Sequence, residues 1–73
     1  MIQVKIVPCT YNIGDLHIKR IDTDEFWGHT SPSINAPTGW VIDENKARYY
    51  NNERGERPPK NEIAKHSDWQ LIE

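Results

Sequence analysis

Cys9, His17, His29 and His66 are the side chains of this sequence that could hold a soft metal ion. None stands at C-x-x-C or H-x-x-x-H spacing, the local pairings that bring two ligands to one ion. The sequence therefore predicts no metal and no other cofactor, with each histidine on a polar face or in a turn. Asp22, Asp24 and Glu25 invite comparison with a calcium loop. Phe26 and Trp27, however, occupy the positions where such a loop needs its third ligand and the glycine of its sharp turn. A charged turn is the reading. Cys9 is followed by Thr10 and Tyr11 with no adjacent base, so a buried, inert thiol is expected rather than a stabilised thiolate nucleophile. No nucleophile elbow and no phosphate-binding glycine loop occurs, and the chain is expected not to be an enzyme.

A second kind of chemistry is recognition. Arg48, Tyr50, Arg54 and Arg57 bring cations and rings together, as do the platforms on which single-stranded bases stack. Glu53, Glu56 and Glu62 are interleaved with them and cancel much of the local field beyond a Debye length of about 8 Å. Nine basic against eleven acidic side chains, a net charge of -2, exclude a protein that neutralises many phosphates. Nucleic-acid binding is therefore the second reading, and protein recognition the first. Trp, Tyr and Arg dominate interface energetics, and three tryptophans are more than a 73-residue core is expected to enclose. Trp27, His29, Ile34 and Tyr50, around the long loop and the charged connection, are the candidate contacts. Trp40 and Trp69 are assigned to the core.

These groups must be positioned by short strands. Ile2, Val4 and Ile6 alternate with polar residues in a half-buried strand that Pro8 ends or confines to an edge. Leu16 and Ile18 face one side of a second strand and His17 and Lys19 the other, with a bend near Arg20 where Ile21 falls out of phase. Phe26 to His29 is a short aromatic strand, and 30–39 is a loop. Trp40 to Asp43 and Lys46 to Tyr50 flank Glu44-Asn45 as a hairpin, in which Asp43 opposes Lys46 and Trp40 opposes Tyr49. After a solvated connection, Pro58-Pro59 blocks a helix entering from the left, and Asn61 to His66 allows one helical turn. Trp69 to Ile72 is the closing strand.

Five short strands, a long middle loop and a helical turn before the last strand make an all-β chain with the order of an SH3-like barrel. One domain spanning 1–73 is expected, since a single core needs roughly 50 residues or more. The segments 39–45 (GWVIDEN) and 67–73 (SDWQLIE) resemble the middle hairpin and closing strand of small SH3-like proteins common in bacteriophage genomes. Asn45-Lys46 stands where those proteins carry a glycine turn, and Tyr11 to Gly14 where their Lys/Gly-rich first loop lies. The resemblance implies a small non-catalytic binding protein that modulates or inhibits a host protein, such as a defence or transcription factor. One cysteine allows no internal disulfide, and no apolar run approaches the roughly 20 residues of a membrane span. No apolar leader core is read at the N-terminus. A cytoplasmic address, the host's if the chain is phage-encoded, is the expectation. The expected partner is a protein, with nucleic acid as the alternative, no membrane, and an oligomeric state the residues leave open.

Overall fold

The computed structural model describes residues 1–31, 36–51 and 57–72. The alternating first segment forms β1 (Ile2–Pro8), which pairs antiparallel with β2 (Leu16–Arg20), setting Val4 opposite Arg20 and Ile6 opposite Ile18. Ile21 N–H donates to the Gln3 carbonyl (3.0 Å) and Cys9 N–H to the Asp15 carbonyl (2.9 Å), so the bonded pairs fall on the odd residues of β1. Pro8 consequently meets Leu16 at a non-bonded pair. Its missing donor would point to the other edge of β1, where the last strand pairs only with Ile2 to Val4. That is the edge position in which a strand tolerates proline.

The aromatic segment forms β3 (Phe26–His29), and β4 (Thr38–Val41) pairs with it antiparallel, Trp27 opposite Trp40 and His29 opposite Thr38. A 3-10 turn (Glu44–Lys46) follows, then α1 (Pro59–Ala64) and β5 (Trp69–Leu71). The five strands lie in the order β4-β3-β2-β1-β5, and β5 runs parallel to β1. The fold is mainly β, with its one short helix before the last strand. Curvature brings the two outer strands together over the core, with the Trp40 and Trp69 rings 5.2 Å apart.

Two expectations are corrected. The helix begins at Pro59 rather than Asn61, because proline at the first helical position gives up a donor that has no partner there anyway. The hairpin between 40–43 and 46–50 does not form. The β4 residues pair instead with β3, and Asp43 caps the 3-10 turn by accepting from Asn45 N–H at 2.9 Å. The chain then crosses to the far side of β3: Ala47 bridges Gly28, Arg48 N–H donates to the Trp27 carbonyl, and Tyr50 and Leu16 exchange both backbone bonds at 2.8 Å. The 47–50 segment thus fills the gap between the start of β2 and the end of β3.

The core consists of Val4, Ile18, Tyr50, Ile63 and Trp69, with Ile2, Ile6, Trp27, Trp40 and Leu71 packed against it. Tyr50, expected as an exposed contact, is 1% exposed. Burial, with the Glu62 carboxylate beside it, pushes its phenol well above the usual tyrosine range.

Gly28 admits no side chain, since a Cβ there would overlap the Lys46 carbonyl oxygen and stand 2.7 Å from the Ala47 Cα. Gly28→Ala is expected to lose about 3 kcal/mol or more in urea unfolding. Gly14→Ala, at φ 94° with open space around it, is expected to lose only about 1–2 kcal/mol. Because the folded state holds the Tyr50 proton more tightly than the unfolded chain, its contribution is intact below about pH 10 and declines as pH rises above that value. The urea midpoint should therefore drop as pH rises from about 10 to about 12, and less steeply in Tyr50→Phe. Equal slopes would show that this phenol is not responsible.

Candidate functional site

The residues proposed as contacts scatter. Trp27 lies on β3 with its ring edge-on to Trp40 (5.2 Å), Trp69 (4.8 Å) and His66 (5.1 Å), and its indole N–H is enclosed without an acceptor. It is part of the packed aromatic cluster, not a free anchor. His29 is exposed at the end of β3, Ile34 lies outside the described residues, and Tyr50 is in the core. No single surface unites the three that are described.

The basic and aromatic set fares similarly. The Arg48 guanidinium lies 3.5 Å from Glu62, Arg57 stands over the Tyr49 ring at 6.0 Å, and Arg54 lies outside the described residues. Arg48, Tyr50, Arg57, Asn61, Glu62 and Lys65 line a cleft of ≈ 330 Å³. Its acidic member is well engaged: Glu62 accepts from the Tyr50 hydroxyl (3.4 Å) and lies 2.9 Å from His66 Nε2. A base stacking here would find Tyr50 enclosed and the nearest cation facing a carboxylate. The exposed ring is Tyr49, at 54% exposure, which the abandoned hairpin register had paired with Trp40.

The outer edge of β4 offers a different surface. Thr30 N–H donates to the Pro37 carbonyl at 3.2 Å, which fixes the alternation of bonded pairs between β3 and β4. Gly39 and Val41 face β3 with their backbone groups; Thr38 and Trp40 direct theirs outward. Among the described residues no strand pairs with that outer side. Beside it, Glu25, Thr30, Trp40, Val41, Ile42, Asp43 and Lys46 line a cleft of ≈ 340 Å³, and Ile42 is 84% exposed.

A third cluster escapes the spacing argument. His17, expected on a polar face, is 0% exposed. It does point away from Ile18, but the 3-10 turn, Tyr11 and Phe26 cover that side of β2: Phe26 meets the imidazole edge-on at 5.5 Å and Tyr11 lies tilted at 6.0 Å. His17 Nδ1 is 2.9 Å from the Arg48 carbonyl oxygen, and Nε2 is 3.3 Å from Glu44 Oε2. Glu44 is held in place by Thr10, whose hydroxyl (2.6 Å) and N–H (2.9 Å) donate to its two carboxylate oxygens and keep its carboxyl below the usual range. Buried Cys9 completes the group, with its Sγ, a ring nitrogen of His17 and a Glu44 carboxylate oxygen within 4.8 Å of one another. No local spacing could reveal this, because the three residues come from the end of β1, from β2 and from the turn after β4. The legible signal was Cys9 and His17 at the two ends of one strand-to-strand connection.

Comparison with protein-family models, with curated proteins and with solved structures found no match. Function is therefore argued from the geometry of these surfaces.

Proposed function

We propose that this chain is a non-catalytic protein-interaction domain that takes up an extended segment of its partner along the open edge of β4. One observation carries the reading: Thr38 and Trp40 direct backbone N–H and C=O groups outward, where no described strand meets them. An added strand satisfies such groups at the right spacing, and pockets beside the edge then select alternate side chains. The cleft under Trp40 and Ile42 supplies the apolar pocket, and Glu25, Asp43 and Lys46 supply a charged rim. The contact surface thus moves from Trp27 and Tyr50 to the next strand along. The resemblance to phage-encoded barrels is the ground for taking a host protein as the partner and its inhibition or modulation as the outcome.

Selection of short random peptides on the wild-type chain tests this reading. Enriched peptides should bind at least tenfold more weakly, about 1.4 kcal/mol, to Thr38→Pro, which removes an outward donor and no β3 bond, and to Ile42→Glu. Both variants should keep the wild-type circular dichroism spectrum. Failure to enrich any peptide, or equal affinity for both variants, would refute the proposal. So would tighter binding of a single-stranded oligonucleotide whose affinity drops steeply with log salt, the signature of phosphate contacts.

A further inference from the structure

We infer that Cys9, His17 and Glu44 form a binding site for a zinc-class divalent ion that clips three separate stretches of the chain together. The argument starts from the protonation of the imidazole. A carbonyl oxygen only accepts, so His17 Nδ1, 2.9 Å from the Arg48 carbonyl, carries the ring proton of the neutral form. Nε2 then holds a lone pair. It is fully enclosed, makes no hydrogen bond, and faces a Glu44 carboxylate oxygen at 3.3 Å. Two electron-pair donors facing each other, the imidazole one wholly enclosed and the carboxylate one half-buried, call for a cation between them. A proton on Nε2 would serve that pair; the thiol of Cys9, which the Tyr11 hydroxyl also meets, adds the third donor that a metal uses and a proton does not.

The distances and the surroundings agree with this. Two N or O ligands about 2.0–2.1 Å from a tetrahedral ion stand about 3.3 Å apart, which is the observed separation of Nε2 and Oε2. Sulfur at about 2.3 Å from the same ion would lie about 3.6 Å from each; the three donor atoms lie within 4.8 Å of one another, so Cys9, just past the end of β1, closes in by up to about 1.2 Å on binding. The outer contacts are those of metal-bound histidine and carboxylate: the far ring nitrogen donates to a backbone carbonyl, and Thr10 fixes the carboxylate. One thiolate, one imidazole and one carboxylate suit zinc, and are a poor set for magnesium or calcium, which take oxygen ligands. Three protein ligands leave a fourth position for water. In a chain with one cysteine, such an ion would supply the cross-link that a disulfide cannot.

The test uses reduced, metal-free, full-length protein titrated with zinc chloride, with cobalt(II) as the spectroscopic probe. Expected are one zinc per chain, a thiolate-to-cobalt charge-transfer band, and a melting temperature raised by several degrees and returned to its starting value by a chelator. Cys9→Ser and Glu44→Gln should each weaken zinc binding at least tenfold and Cys9→Ser should abolish the band; His29→Gln, a surface control, should leave both unchanged. Absence of zinc uptake by the wild type, or undiminished affinity in folded Cys9→Ser, overturns the proposal. Should Cys9→Ser fail to fold, nitrogen NMR of the wild-type His17 ring decides. Zinc must shift Nε2 while Nδ1 stays protonated, and an unmoved Nε2 resonance overturns the site.

Discussion

The contact between Ala47 and the bare backbone of Gly28 organises this molecule. Without a side chain at 28, the strand leaving the 3-10 turn comes close enough to bridge β3 on the side away from β4. From that crossing follow the Arg48 N–H bond to Trp27, the Arg48 carbonyl that receives His17, and the paired bonds between Tyr50 and Leu16. The crossing also swings Glu44 back over β2, within reach of Thr10 and His17. A β-branched or even a methyl side chain at 28 would push the two backbones apart and undo all of these at once. Glycine here serves close approach, not an unusual dihedral angle, since among the described residues the positive-φ glycine is Gly14.

The three tryptophans answer a second constraint. A chain near this size buries only about 60% of the surface its unfolded form exposes, and each indole can contribute on the order of 150–250 Å² of that. All three are drawn into one cluster: Trp27 stands edge-on to Trp40 and Trp69, and His66 stacks on Trp69 at 3.8 Å with the ring planes 12° apart. His66 also lies 2.9 Å from Glu62 on α1, so the same ring joins helix and sheet. None of the three tryptophans is held apart from the cluster, and the proposed recognition surface lies at its rim, where Trp40 reaches the β4 edge.

Strands and faces were legible where the pattern of side chains was local. The alternation in β1 and the one-sided pairing of Trp69 with Leu71 follow from period-two burial, and β3 from its short aromatic run. Trp40 against Tyr49 and Trp40 against Trp27 are equally good aromatic pairs, so the pairing pattern alone does not choose between the hairpin and the β3–β4 register. What decides between them is the side-chain cap of Asp43 and the space at Gly28, which no pairing rule weighs. Choosing the hairpin exchanges the surroundings of Tyr49 and Tyr50. The burial of His17 was illegible for a related reason: its neighbours Tyr11, Phe26 and Glu44 arrive from three other elements, and only the crossing brings the last of them.

The turn after β4 bears on both proposed sites. Its outward residues, Ile42, Asp43 and Lys46, line the cleft beside the β4 edge, while its inward residue, Glu44, faces His17 and is bonded to Thr10. A strand added to β4 would extend pairing up to the residue at which this turn begins. An ion held by Glu44 would tie the far side of the same turn to β2 and to the end of β1. The two events act on opposite faces of one short, capped piece of backbone, and each restricts the conformations open to it. If both proposed sites are occupied, ordering of the turn by one would lower the conformational entropy that the other must still remove. In so small a domain, two sites can hardly be built without sharing backbone, and the Asp43 cap is the point at which they share it.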